Sequence, residues 1–261
     1  MNPEEYQAYT IALQSNLEQN PDVIGLVALG SMAKQDYQPD RWSDHDFFVM
    51  TKSGKQEELR QNLSWLPDHE NIVLALRETA HGLKVLYRDG HLVEFAVFDT
   101  QELYLSKVNR YRLLFEREED IAQHLTRIKS SVIPPQHSPQ EDFKEISMFL
   151  CNLLIGVGRH KRGEQLSGHE FVKTLALSSL VFLLGKHLPS SRKEVLDNLN
   201  NLRRFELVYP ELGLELNQLL LNETPQAALK LMALAERELS GKMADFPAEA
   251  FAVVRHQAEE N

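Results

Sequence analysis

Residues 23–51, VIGLVALGSMAKQDYQPDRWSDHDFFVMT, decide the fold of this chain. An apolar run, Val23–Leu29, ends at the dipeptide Gly30-Ser31, where glycine permits a tight turn with the backbone close to a ligand. A polar loop follows, and a second apolar run over 44–51 opens with two acidic residues. The pattern predicts a strand, a tight turn, a loop and a second strand that is buried on both faces.

Asp44 and Asp46 stand on either side of His45 at the start of the second strand. Residues two apart on a strand share a face, so the two carboxylates project together with their Cα atoms roughly 7 Å apart. Such acids repel each other unless water screens them or a cation binds between them. A solvated strand edge is the alternative for an isolated pair. His45 points to the opposite face, where packing in the core is the expected role.

A third acid, Glu94, lies inside the apolar run LVEFAVF. Asp89-Gly90 before this run is a strong hairpin signal that joins it to a preceding strand over 83–87. A charge inside an apolar strand is rare unless it is paired or binds a metal. One interpretation is an edge strand with Glu94 in water, and the other is a carboxylate triad completed by Glu94.

The remaining pattern divides the chain into a mixed first part and an all-helical second part. The Pro-rich stretch 130–140 is the best linker, which sets predicted domains at 1–133 and 134–261. The further elements predicted in the first part are helices at 2–18, 57–65, 101–109 and 111–129 and a strand at 72–77. Those in the second part are helices at 138–161, 167–184 and 224–239, a capping signal at 191–194, and a short final helix from 245.

Composition narrows the function classes. The 261 residues are 43% apolar and 25% charged, as in a globular protein, with no apolar run long enough to span a bilayer. The net charge of −10 disfavours broad binding to nucleic acid. The acidic N-terminus lacks a signal-peptide pattern, so a cytoplasmic protein without membrane partners is expected. The single cysteine, Cys151, is expected to be a small buried hydrophobe.

Three clustered carboxylates beside a Gly-Ser turn suit the binding of a nucleoside triphosphate. Carboxylate oxygens are ligands for Mg²⁺, which bridges phosphate oxygens and offsets charge on a leaving group. The N–H groups of the turn can bind the distal phosphates, and Lys34 is close enough in sequence to assist. This is a nucleotidyl-transfer arrangement without a Walker-type lysine loop.

At these residues the sequence resembles the nucleotidyltransferase superfamily that includes DNA polymerase beta and the antibiotic adenylyltransferases. The segments LGSMAKQD, WSDHDFFVM, VEFAVFD and FLCNLLIGVGRHKRGE look like segments of the two-domain lincosamide nucleotidyltransferases, in the same order and at similar spacing. The resemblance implies an α+β fold, in which a mixed sheet with helices on its back forms the nucleotidyltransferase domain and a helical bundle follows. It covers about a quarter of the chain, and the last third contributes little.

The resemblance also implies a reaction, an Mg²⁺-dependent transfer of a nucleoside monophosphate from a nucleoside triphosphate to a hydroxyl of a small molecule. Pyrophosphate is released, an antibiotic is one candidate acceptor, and a homodimer is one expectation. Asp44 and Asp46 would bind metal, and Glu94 would be the third ligand or the general base. Gly30, Ser31, Lys34 and, from the second domain, Lys161 would contact the nucleotide.

Two alternatives remain open. One is a transferase that modifies a protein or tRNA. The negative net charge and the large helical domain argue against it. The other is a nucleotide-binding relative without turnover, against which the three clustered acids count. Relatives that carry Glu where this chain has Asp46 keep the metal chemistry, so this difference leaves the identity of the acceptor open.

Overall fold

The computed structural model of the chain describes residues 1–34, 38–117, 120–129 and 138–259. It divides into two compact units, Met1–Ser130 and Ser131–Asn261. The predicted boundary between 133 and 134 lies outside the described residues, as do most of the predicted linker at 130–140 and part of the predicted loop at 35–43.

A six-stranded mixed sheet forms the centre of the first unit, in the order β3-β4-β5-β2-β1-β6. β2 and β5 run parallel, and the other neighbouring pairs are antiparallel. The strands are β1 (Val23–Leu29), β2 (His45–Thr51), β3 (Ile72–Arg77), β4 (Gly82–Tyr87), β5 (Leu92–Phe98) and β6 (Tyr111–Glu116). The helices of this unit are α1 (Pro3–Glu18), α2 (Gln56–Gln61) and α3 (Ile121–Ile128), with 3₁₀ turns at Gly30–Ala33, His69–Asn71 and Glu102–Leu105.

The two faces of the sheet pack against different helices. One apolar cluster joins strand side chains to residues of α1 and α2, and a second joins the opposite face of the sheet to α3. All seven residues of β1 are buried, because this strand is covered on both faces. The first unit is therefore a mixed sheet with helices on it, and the α+β fold predicted from the sequence is confirmed.

Local signals place α1 where the sequence predicts it. Asn2 caps the helix, since its side chain accepts from the backbone N–H groups of Glu4 and Glu5, and the Glu5 carboxylate accepts from the Asn2 backbone. This reciprocal capping satisfies N–H groups that the first helical turn leaves without partners. Pro3 occupies the first helical position, as its fixed φ favours.

The predicted helices at 101–109 and 111–129 are wrong. Only a 3₁₀ turn, Glu102–Leu105, forms in the first stretch, and Tyr111–Glu116 forms the edge strand β6 against β1. α3 is confined to Ile121–Ile128. The charged residues after 115 led to the prediction of a solvated helix over the whole stretch. The aromatic and leucine residues of YRLLFE instead suit a strand that packs on a neighbouring strand.

The second unit is helical throughout its described residues. Its helices are α4 (Pro139–Lys161), α5 (Gln165–His169), α6 (Leu177–His187), α7 (Phe205–Val208), α8 (Pro210–Leu220), α9 (Thr224–Leu239) and α10 (Ala248–Glu259), with a π-helical segment, Glu170–Ala176, between α5 and α6. Each of these helices except α5 contributes buried side chains to one apolar core. Across the described part of the chain, none of the helices combines the length and apolarity that a membrane span requires.

Three predictions for the second unit are corrected. Ser167 and Glu170 have the spacing of a capping box, but Ser167 lies inside α5, where its hydroxyl accepts from Arg159. The apolar spacing within 138–161 predicts that Phe143 and Leu154 are buried, but they are 50% and 40% exposed. Cys151 is exposed as well. The first and last turns of this helix are predicted correctly, with a capping box at Ser138.

Close helix packing around Gly156 gives a test of the second unit. A Cβ at Gly156 would lie 2.6 Å from Val172 Cγ2 and 2.9 Å from Phe171 Cβ, whereas a Cβ at Gly185 would meet only Leu196 Cδ1 at 3.5 Å. We expect Gly156→Ala to lower the free energy of unfolding by about 1–3 kcal/mol through overpacking. Gly185→Ala is expected to raise it by up to about 1 kcal/mol, because alanine favours helix.

The measurement is urea unfolding followed by circular dichroism on both variants and the parent. An equal shift of the midpoint for the two variants would contradict the close packing of α4 on the following helix.

Candidate active site

The turn after β1 brings backbone up to an acidic side chain. Gly30 has φ +46, and a Cβ at this position would lie 3.5 Å from Asp46 Oδ2. Most residues avoid this φ, so the turn favours glycine, and the short distance shows that the turn lies next to the carboxylate of Asp46. The following residues continue as a 3₁₀ turn to Ala33 and leave Lys34 in the left-handed region.

Asp46 and Glu94 lie side by side. They are partners in the parallel pairing of β2 with β5, so their side chains leave the same face on neighbouring strands, about 4.8 Å apart. Both are half-buried. Of the two interpretations of Glu94, the edge strand is excluded because β5 lies between β4 and β2, and the register sets Glu94 beside Asp46.

Hydrogen bonds to its backbone carbonyl fix the position of Asp44. It lies just before β2, and its carbonyl accepts hydrogen bonds from the Tyr6 hydroxyl at 2.8 Å and from the Ser31 hydroxyl at 3.2 Å. No group of three histidine, cysteine, aspartate or glutamate side chains that could hold a metal ion occurs among the residues that the structure describes. The register therefore sets Asp46 beside Glu94, and the binding of a metal ion by Asp44, Asp46 and Glu94 stays a prediction.

Ser31 is 3% exposed, and its hydroxyl points into the protein. The hydroxyl contacts Asp44 O and lies 3.0 Å from the Tyr6 hydroxyl. The sequence predicts that Ser31 contacts phosphate. Because its hydroxyl is hydrogen-bonded inside the protein, the backbone N–H of Ser31 is the group that suits this role.

Tyr6 of α1 joins the turn to the acidic strand, and sequence reasoning missed it. Its hydroxyl bonds both Ser31 and the Asp44 carbonyl, and its ring stacks on His45 with centroids 3.7 Å apart. The side chain is 1% exposed. A tyrosine on the buried stripe of a helix looks like ordinary core in the sequence, and only the pairing of α1 with the sheet reveals these polar contacts.

Lys84 of β4 is a second residue that the sequence did not single out. It is the register partner of Glu94, and its Nζ lies 3.4 Å from Glu94 Oε1 and 3.1 Å from Glu78 Oε1. These two carboxylates raise the pKa of the Lys84 ammonium, with the hydrogen bond to Glu78 as the larger cause. Glu94 therefore has an acid on one side and a cation on the other.

The two lysines predicted to bind phosphate lie in different units. Lys34 follows the Gly-Ser turn and donates to the Gln7 side chain. Lys161 ends α4 in the second unit, where its Nζ donates to the Gln257 carbonyl at 2.9 Å. A contact of either lysine with a nucleotide stays a prediction.

The donor chemistry of Asp46 and Glu94 suits Mg²⁺. In phosphate-transferring sites this ion usually keeps several water ligands and takes one or two carboxylates, with substrate phosphates completing its shell. Two adjacent carboxylates beside a turn that can bind phosphate meet that requirement without a complete protein cage. Asp44, which was predicted to be a ligand, contributes its carbonyl to the support of the site.

A buried histidine pair supports β2 from the opposite face of the sheet. His45 is fully buried, as the sequence predicts, and its Nδ1 lies 2.8 Å from His91 Nε2. Its Nε2 lies 3.2 Å from the Tyr6 carbonyl, so His45 donates there and accepts from His91, with both rings neutral. Burial lowers the pKa of His45 to about 3, aided by His91, and burial lowers the pKa of His91 to about 4.

No family model matches the sequence, and no curated protein matches it either. The chain is similar to solved structures of an aminoglycoside 6-adenyltransferase from Bacillus subtilis (12% identity, 95% of each chain, TM-score 0.37) and a nucleotidyltransferase-like protein from Exiguobacterium sibiricum (16% identity, 98% of this chain and 81% of the other, TM-score 0.36). It is also similar to the CD-NTase CdnG from Bradyrhizobium diazoefficiens in complex with GTP (15% identity, 100% and 94%, TM-score 0.30). All three of these structures have TM-scores below 0.5 with this chain.

The histidine pair predicts how stability depends on pH. The folded protein keeps His45 and His91 neutral, while the unfolded chain protonates them near pH 6.5, so unfolding takes up protons below that pH. We therefore expect the free energy of unfolding to fall as pH drops from 6.5 to 4. His91→Gln should reduce that slope by up to about 1.4 kcal/mol per pH unit, because it removes one titrating group.

Urea unfolding at half-unit pH intervals measures both slopes. Identical slopes in the parent and in His91→Gln would show that the pair does not contribute to the pH dependence.

Proposed function

We propose that this protein is an Mg²⁺-dependent nucleotidyltransferase that moves a nucleoside monophosphate from a nucleoside triphosphate to a hydroxyl of a small molecule, with an antibiotic as one candidate acceptor. The observation that carries the proposal is the register pair Asp46 and Glu94 next to the Gly30 turn. The sequence motifs that resemble polymerase-beta-like nucleotidyltransferases fall on the same residues.

Each group in this arrangement has a separate task. The N–H groups of the Gly30–Ala33 turn bind the distal phosphates, and Lys34 adds positive charge there. Glu94 accepts the proton of the acceptor hydroxyl, and Lys84 beside it orients the carboxylate. Mg²⁺, held by Asp46 and Glu94, would offset the charge that develops on the departing pyrophosphate.

Removal of either carboxylate tests the catalytic assignment. Asp46→Asn and Glu94→Gln keep the shape of the side chains and remove the charge, so we expect pyrophosphate release to fall by about 10²–10⁴-fold. The assay is pyrophosphate release with Mg²⁺, each nucleoside triphosphate in turn and a panel of hydroxylated small molecules.

Asp22→Asn is the matched control for these variants. Asp22 precedes the other end of β1, where its carboxylate forms an exposed ion pair with Lys55 at 3.0 Å. This variant should keep parental turnover. Full turnover by Asp46→Asn would overturn the proposed function.

A pair of tyrosine variants tests the support of the turn. Tyr6→Phe removes the hydroxyl that bonds Ser31 and Asp44, while Tyr9→Phe removes one that lies 3.0 Å from the Tyr87 hydroxyl. Each loses buried hydrogen bonds, which costs about 1–3 kcal/mol of stability. Only Tyr6→Phe is expected to raise the KM for the nucleoside triphosphate, by about tenfold, since only it loosens the turn that binds phosphate.

Steady-state kinetics at saturating acceptor, together with thermal unfolding, separate the two effects. If both variants have the same KM for the nucleoside triphosphate, Tyr6 contributes only to stability and not to the binding of phosphate at the turn.

A second candidate function is nucleotide binding without turnover. It is favoured by the ion pair between Lys84 and Glu94 and by the lack of a three-residue metal group among the described residues. Calorimetry with ATP separates the candidates. Binding that needs Mg²⁺ supports the transferase, and equal binding with and without Mg²⁺ favours the second candidate. Labelled ATP with a cell lysate tests transfer to a protein or tRNA, since the label would then appear on macromolecules.

A further inference from the structure

One row of side chains crosses the sheet from the acidic pair to its edge. Asp46 on β2 pairs with Glu94 on β5, Glu94 with Lys84 on β4, and Lys84 with Leu76 on β3. Register partners project from the same face, so these four side chains form a continuous line on it. At about 4.8 Å per strand, Leu76 lies about 10 Å from Glu94 and about 14 Å from Asp46.

The outer part of this face is apolar. The row next to it consists of Leu74, Leu86 and Leu92, which are again register partners. Leu74 and Leu76 are 52% and 51% exposed, and Leu86 and Leu92 are half-buried. We call these four residues, Leu74, Leu76, Leu86 and Leu92, the leucine platform. Within the described part of the first unit, α1 and α2 pack on the opposite face of the sheet, away from this surface.

The order of the strands gives the two sides of the acidic pair different roles. The Gly30 turn ends β1, which flanks β2 on one side, and β4 and β3 extend beyond β5 on the other. If the triphosphate binds at the turn, as the proposed function requires, the leucine platform lies on the far side of Glu94. That is the side from which an acceptor hydroxyl can approach Glu94 without meeting the phosphates.

On this basis we propose that the leucine platform binds an apolar part of the acceptor. The acceptor is then an amphipathic molecule, with a hydroxyl at Glu94 and a hydrocarbon or ring system about 10 Å away on Leu74 and Leu76. This inference rests on the proposed function and adds the substrate class to it.

The charged side chains between the acidic pair and the leucine platform favour an uncharged or weakly charged acceptor. Lys84 is the cation next to Glu94 and already pairs with Glu78 and Glu94. A polycationic acceptor would have to pass Lys84 and would find leucines where it needs carboxylates. An apolar group, in contrast, is stabilised by the removal of its own surface and that of the exposed leucines from water.

The test uses two glucosides with the same free hydroxyls and different apolar parts. We expect octyl β-glucoside, below its micelle concentration and with Mg²⁺ and a non-transferable ATP analogue present, to bind at least tenfold more tightly than methyl β-glucoside. The double variant Leu74→Ser/Leu76→Ser should lose about tenfold in affinity for the octyl compound and keep its affinity for the ATP analogue. Isothermal titration calorimetry measures both.

Ile11→Ser is the matched control. Ile11 is 59% exposed on α1, which packs on the opposite face of the sheet, so this variant removes a similar exposed apolar side chain elsewhere. It should bind both glucosides as the parent does. A loss of octyl affinity as large as that of the double variant would overturn the assignment of the platform.

The remaining outcomes separate the two proposals. If the ATP analogue binds with Mg²⁺ but the two glucosides bind equally, or neither binds, the platform proposal alone fails. If neither the ATP analogue nor the corresponding analogues of GTP, CTP and UTP bind, the proposed function fails and this inference with it. A parent that sediments as a dimer and a double variant that sediments as a monomer would make the platform a contact between two copies of the chain, which also overturns the proposal.

Discussion

The parallel pairing of β2 with β5 is the constraint on which the rest of the site depends. It places Asp46 beside Glu94, although 47 residues separate them along the chain. A slip of one residue would turn every side chain of the strand to the other face, which would take Phe47 and Val49 out of their apolar cluster and move Asp46 into it. Because those residues are fully buried, the apolar core maintains the register, and the register holds two repelling carboxylates together.

A polar network on the opposite face of the sheet stiffens the same strand. His45 lies between the acids in sequence, but it stacks on Tyr6 and bonds His91 and the Tyr6 carbonyl. Buried polar groups cost free energy unless they are paired, and here each ring nitrogen of His45 has a partner. Tyr6 then connects this network to Ser31 and Asp44, so the core and the site share one set of hydrogen bonds.

The errors of the sequence interpretation have physical causes. Tyr111–Glu116 was expected to be helical because charged residues follow it, whereas pairing with the buried strand β1 makes it a strand. Local pattern cannot reveal which strand a segment will pair with, since tertiary contacts override propensity. Lys84 and Leu76 were missed for the same reason, because their proximity to Glu94 exists only across the sheet.

The sequence alone determined the elements outside 101–116 in the first unit, the turn at Gly30-Ser31 and the choice of Asp46 and Glu94 as candidate site residues. These are local properties: periodicity, capping residues, a glycine at a turn and a charge in an apolar run. Only the tertiary structure decided that Ser31 turns its hydroxyl inward, that Lys84 pairs with Glu94 and that leucines extend the site to the sheet edge. Those features depend on strand order and register, which arise from contacts between residues far apart in the chain.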